Sequence, residues 1–229
     1  MATPNAKFIA RAYVDNTKVE MKNHFIVLQS TTPGTCQISV NQPVEALQQI
    51  TVDLGWGTMI DRVFTGYIER VIPGENGWYN LFCREYAAVL NNNYAIMLRH
   101  PTLKQVTEEL SKQSKIQFEI PDQKYAQTAI PCFYADGSGY SILENIGRAF
   151  KINDYIWQQM ANGTIYAGSY NDSFWYDKNI TIPNNLLTGH QSGTTATMPA
   201  APMVKPNVTA NNKRITKIEY MNTNMTISW

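Results

Sequence analysis

The chain has 229 residues, enough for one large all-β unit or two small domains sharing a core, and its 44% hydrophobic content excludes disorder over most of its length. Only 16% of the residues are charged and the net charge is +1, so the sequence carries no electrostatic footprint for DNA or an anionic membrane. Its exterior must be covered by neutral polar groups, which are easier to desolvate against neighbours than charges are.

The opening residues, Met1 to Tyr13, lack the basic start and apolar stretch of a secretory signal. No segment approaches the roughly 18 apolar residues of a membrane span, so no membrane insertion by this chain is expected. Cys36, Cys83 and Cys132 are an odd count at wide spacing, which predicts buried free thiols made in a reducing cytoplasm.

The first ninety residues predict strands separated by turns. Phe8 to Val14 alternates with both faces partly apolar, and Val19, Met21 and Phe25 to Leu28 form a second strand region. Thr32-Pro33-Gly34 reads as a turn before the alternating Cys36, Ile38 and Val40. Ile50 to Leu54 alternates as well. Val63 to Val71 and Trp78 to Tyr86 flank a Pro73-Gly74-Glu75-Asn76-Gly77 turn and predict a hairpin.

The middle of the chain changes period. Thr102 opens a helix with Gln105 as its capping-box partner and Leu103, Val106 and Leu110 on one face. Ile116, Phe118 and Ile120 predict a strand. A second helix is expected from Ser141, with Glu144 as box partner, entered through an Asp136-Gly137-Ser138-Gly139 loop. Tyr155 to Met160 and Thr164 to Ala167 predict a hairpin around a type I′ turn at Asn162-Gly163. The stretch 183–206 has little periodicity and predicts a loop. Arg214 to Tyr220 and Met225 to Trp229 then form a closing hairpin.

Chemistry-bearing motifs are scarce. His24, His100 and His190 have no ligand or triad spacing, and His24 is expected at the surface. Gly137-Ser138-Gly139 lacks the lysine of a phosphate loop. Glu108, Glu109, Asp53, Asp61 and Glu69 are the carboxylates a glycosidase could pair, but no spacing singles out two of them. Trp56, Trp78, Trp157, Trp175 and Trp229 could stack on sugars, and at strand positions they read first as core or interface. No catalytic, cofactor-binding or metal-ligating residue is assigned, and no cofactor is expected.

The order of elements resembles the baseplate hub proteins of contractile-tailed phages, the late-control-protein family, which is related to the hub part of type VI secretion spikes. Four stretches carry the resemblance. Asp61 to Ile68, DRVFTGYI, is similar to the family strand in which an apolar run reaches a glycine and continues with an aliphatic residue. Trp78 to Leu90, WYNLFCREYAAVL, is similar to the strand after it, and Pro101 to Ile120 to the family's helix-then-strand insertion. Lys205 to Val208, Lys213 to Ile218 and Met225 to Trp229 resemble the closing hairpin.

The resemblance implies a mainly β fold with an α/β insertion: two tail-tube-like β-barrels flanking a small helix-strand-helix insertion. The expected regions are 1–93, the insertion 94–154, and 155–229 with its loop at 183–206. It implies a non-enzymatic homotrimer that adapts a sixfold tail tube to a threefold spike in the virion tail baseplate, assembled in the host cytoplasm. Tail tube, spike and baseplate wedge proteins are the implied partners, with tape-measure protein or DNA only transiently in the lumen and the needle a separate protein. A carbohydrate-binding module and a tail-associated cell-wall hydrolase are the alternatives.

Overall fold

The computed structural model describes residues 6–191 and 193–229. Contacts divide the chain into two compact units. One is built from the chain up to Glu85 together with Asp177–Trp229, and the other is Tyr86–Tyr176. The fold is mainly β, as the alternating patterns imply.

The first unit begins with β1 (Phe8–Val14) and β2 (Thr17–Val19), joined through Asp15 and Asn16 at φ 45° and 65°. Two successive left-handed residues make a type I′ turn, whose twist matches that of the strands it joins. β3 (Met21–Gln29) and β4 (Thr32–Val40) follow. The turn between them falls at Ser30 and Thr31, not at Thr32-Pro33-Gly34, so Gly34 lies inside a strand. β5 (Gln49–Trp56), β6 (Met59–Pro73) and β7 (Tyr79–Glu85) complete this run.

The second unit holds β8 (Asn93–Arg99), α1 (Leu103–Ser114), β9 (Phe118–Glu119), α2 (Lys124–Gln127), β10 (Cys132–Ser138), α3 (Gly139–Ala149), β11 (Tyr155–Gln159) and β12 (Ile165–Ser169). The capping box of α1 forms as expected: Thr102 Oγ1 accepts from the Gln105 N–H, and the Gln105 side chain accepts from the Thr102 N–H at 2.9 Å. Leu103, Val106 and Leu110 are buried in the same hydrophobic cluster as Ile142, Leu143 and Ile146 of α3. Each such side chain contributes about 1.5–3 kcal/mol of transfer free energy, so the three together outweigh the cap.

Three expectations change within this unit. α3 starts two residues before Ser141, capped by Ser138, whose hydroxyl accepts from the Ser141 N–H at 3.2 Å. The Asp136-to-Gly139 segment is not an entry loop, because Asp136, Gly137 and Ser138 extend β10 in register with Ala95, Tyr94 and Asn93 of β8. At Asn162-Gly163 only Gly163 has a positive φ, 88°, and the Gly163 N–H donates to Met160 O. That is a type I turn closed by a glycine bulge, not the type I′ turn expected from the dipeptide.

The chain returns to the first unit with β13 (Asn179–Ile180), β14 (Thr188–Gln191), β15 (Thr195–Pro199), β16 (Thr209–Ala210), β17 (Lys213–Arg214), β18 (Lys217–Met221) and β19 (Asn224–Ser228). Eleven strands form one sheet in the order β14-β15-β19-β18-β3-β4-β7-β6-β5-β1-β2. The return joins the start where β18 pairs with β3, Ile218 facing Leu28 and Tyr220 facing Ile26. Two strands, β14 and β15, lie inside the 183–206 stretch read as a loop. Ala196 and Met198 point inward and Thr195 and Thr197 outward, an alternation of mostly small groups that gives a weak hydrophobic signal.

The unit boundaries at 85/86 and 176/177 differ from the expected breaks after 93 and 154. The hairpin of β11 and β12 falls in the insert because Trp157, Ile165 and Ala167 are buried in its core and β12 pairs in parallel with β9. One face of the eleven-stranded sheet is buried around Val40, Val52, Phe64, Ile218, Tyr220 and Ile227, residues drawn from strands before and after the insert.

Candidate interaction surface

The other face of that sheet spans all eleven strands. Directly opposed residues of an antiparallel sheet share a face, so rows can be followed from strand to strand. One row runs Thr197, Thr226, Glu219, Val27, Thr35, Arg84, Tyr67 and Gln49. The next runs Pro199, Asn224, Met221, Phe25, Gln37, Phe82 and Arg70. Neutral polar side chains dominate the first row, whereas the second sets Met221, Phe25 and Phe82 beside Asn224 and Gln37. Polar groups bond across strands: the Thr197 and Thr226 hydroxyls lie 3.2 Å apart, and the Ser39 hydroxyl donates to Asn80 Oδ1 at 2.7 Å.

Three cations of this face are paired with acids. Lys217 pairs with Glu219, Arg84 with Glu69 at 3.6 Å, and Arg62 with Asp53 at 2.8 Å. The Arg70 guanidinium rests over the Phe82 ring at 5.8 Å. Exposed pairs of this kind contribute only about 0–1 kcal/mol each, so their main effect is to cancel charge. A groove of about 660 Å³ crosses the face, lined among others by Phe25, Gln37, Arg70, Asn80 and Met221.

The residues weighed for chemistry do not converge. Asp53 and Glu69 are held by the arginines just named, and Glu109 accepts from Gln113 at 3.0 Å and lies 3.5 Å from Lys112 on α1. Among the described residues no cluster of His, Cys, Asp or Glu could hold a metal ion. His24 is buried, not exposed as expected: its ring stacks on Phe8, and burial lowers its pKa. The side chain of His190 lies outside the described residues. Cys36 and Cys83 are buried cross-strand neighbours, and burial pushes the Cys36 thiol well up, whereas Cys132 is exposed, contrary to expectation.

Two tryptophans weighed as a sugar platform, Trp157 and Trp175, are buried. Trp157 stacks on Tyr140 at 5.7 Å, and Trp175 meets Tyr166 edge-on at the same separation. The Trp56 indole N–H donates to Ala200 O at 2.7 Å and that of Trp229 to Gly193 O at 2.7 Å. Lys22 lies over the Trp78 ring.

One ionisable group escaped the sequence reading. Glu85, at the end of β7, is aimed to the core side of the sheet, where its Oε2 accepts from the Gly34 N–H at 2.6 Å. Desolvation pushes its pKa up to about 7, against the opposing pull of that hydrogen bond and of the Lys205 charge. Lys205 is itself lowered to about 8 by burial, and its Nζ donates to Arg62 O at 3.0 Å. The only sequence signal was Glu85 sharing the inward phase of Leu81 and Cys83.

A folded-state pKa raised from 4.5 to about 7 stabilises the protein fully below the lower value and is lost as pH rises through the upper one. Thermal melts of the wild type should therefore fall between about pH 5 and 8, and Glu85→Gln should flatten that fall. An unchanged pH profile in the variant would show that the carboxyl is solvated.

No family model matches the chain. It is 32% identical over 214 residues to an uncharacterized 58.7 kDa protein from the lys 3′ region of Haemophilus phage HP1, which covers 93% of the chain. The chain spans 40% of the length of that relative. Among solved structures, the fold is shared with the 43 kDa tail protein of prophage MuSo2 from Shewanella oneidensis. The TM-score is 0.71 at 10% identity, covering 97% of this chain and 98% of that one. It is also shared with an Escherichia coli component of the type VI secretion system described as structurally similar to the T4 tail proteins gp27 and gp5. There the TM-score is 0.60 at 10% identity, with 97% and 76% of the two chains covered. The fold is therefore that of phage tail proteins.

Proposed function

We propose that this chain is a structural hub of a phage tail, in which three copies form a ring that joins the sixfold tail tube to the threefold spike. The observation that carries the reading is the outer face of the eleven-stranded sheet, where Arg62, Arg84 and Lys217 are each paired with an acid among threonine, asparagine and glutamine side chains. Affinity for DNA grows with the number of phosphates that lysines and arginines neutralise. A face on which Arg62, Arg84 and Lys217 are already engaged by acids offers few free cations, which favours passage of DNA or a tape-measure protein without tight binding. In the ring this face lines the channel, and the two flanking β regions act as the tube-like elements.

The edges of the sheet support the same arrangement. Among the described residues β2 and β14 are its outermost strands, and a ring gives such edges a neighbouring copy to cover them. The role is non-enzymatic, located at the virion tail baseplate after assembly in the host cytoplasm. Tube and spike proteins meet the two ends of the ring, and wedge proteins its outside.

The protein, alone or co-purified with tube and spike, should sediment as a trimer and appear as a ring in micrographs. A strictly monomeric species up to high concentration, with no ring in assembled particles, overturns the hub. A sixfold ring reassigns the chain to the tube itself.

A further inference from the structure

In the insert, β8 and β10 form a two-stranded sheet whose outward face is apolar at its centre. Met97 and Tyr134 oppose each other there with 76% and 69% of their surfaces exposed. Large apolar side chains placed together in this way are unusual on a surface that has no partner. The strip continues past the exposed Cys132 into a groove of about 720 Å³ beside α2 and the end of α3, floored by Ile130, Pro131, Ala149 and Phe150.

Charge and backbone say what covers it. Lys124 and Lys151 line the groove, and Arg99 stands directly opposite Cys132; all three are exposed. The acid of the ribbon's outward face, Asp136, lies at the far end, beyond Met97. Asp172, the acid that reaches the groove wall, is engaged by the Tyr125 hydroxyl at 2.9 Å. The β8 edge receives the Gln113 side chain on Ala95 O at 3.0 Å, whereas β10 has no second strand beside it among the described residues. An unpaired edge next to apolar pockets is the geometry that binds an extended segment by strand addition.

We propose that the β10 edge and the adjoining groove dock an extended segment of another tail protein, one that sets acidic side chains beside apolar ones. The identity of the host assembly rests on the hub reading; the chemistry of the docked segment does not. The apolar side chains cover Met97, Tyr134 and the groove floor, while the acids meet Lys124, Lys151 and Arg99. A second copy of the chain is disfavoured, because a symmetric contact through this strip opposes its own cations.

Fluorescence anisotropy of the full chain with two labelled peptides of equal length, one alternating Val and Glu and the other Val and Lys, tests the chemistry directly. The acidic peptide should bind, and Lys124→Glu with Lys151→Glu should weaken it about tenfold while leaving the melting temperature unchanged. Equal binding of both peptides, or of neither, overturns the site. In particles, a photo-crosslinking side chain at position 134 should capture an acidic, apolar segment of a different tail protein. Capture of a second copy alone, or no capture in particles that contain the chain, also overturns it. Absence of the chain from particles sinks the hub reading instead, and the peptide titration still decides the groove.

Discussion

Gly66→Ala is expected to destabilise the protein by about 4 kcal/mol or more, at the upper end of single-substitution effects. The glycine sits in β6 opposite Glu85 of β7, and a Cβ built on it would lie 2.0 Å from the Arg84 carbonyl oxygen and 3.0 Å from Glu85 Cα. Both obstacles are backbone, so no rotamer change relieves them. β6 and β7 must separate, in the middle of the sheet and beside the Glu85–Gly34 hydrogen bond. Gly57→Ala is the control. Its φ of +59° is strained for alanine, but its Cβ would meet only Ala6 Cβ at 3.6 Å, so its cost should stay near about 1 kcal/mol. Denaturant titrations of the two variants compare lack of space with lack of conformational freedom. Similar midpoints for both would show that the sheet yields at Gly66.

Trp175→Ala should lower stability by about 3–5 kcal/mol, which for a chain of this size is a fall of roughly 10 °C in Tm. The indole is 4% exposed and is packed edge-on against Tyr166 and Phe174, so truncation leaves a cavity that the surrounding rings cannot fill. The same variant separates two functions. A sugar platform must present its ring face to solvent, and loss of that face would remove glycan binding while leaving Tm nearly unchanged. A destabilised variant with no change on a glycan array assigns Trp175 to the core. Unchanged stability with lost glycan binding would overturn the structural role and revive the carbohydrate-binding reading.

How much of this was legible beforehand depends on where each signal lives. The capping box at Thr102 and Gln105 and the inward faces of α1 and α3 are local features, set within a few residues of chain. The exposure of Cys132 and the burial of His24 were not local. Each depends on which neighbouring strand covers that position, and β8 was itself missed because its outward residues, Ala95 and Met97, are as apolar as its inward ones.

The sequence alone determined that the chain is mainly β, weakly charged, interrupted by an insert with two amphipathic helices, and closed by an ordered hairpin, because periodicity and turn chemistry act over short range. Only the tertiary structure decided that the closing hairpin pairs with β3 in one eleven-stranded sheet, that β14 and β15 belong to it, and that the hairpin after residue 154 belongs to the insert. Those outcomes rest on hydrogen bonds and buried area between residues far apart in the chain. Such pairings must outweigh the entropy of closing long loops, and no short window of sequence contains both sides of that comparison.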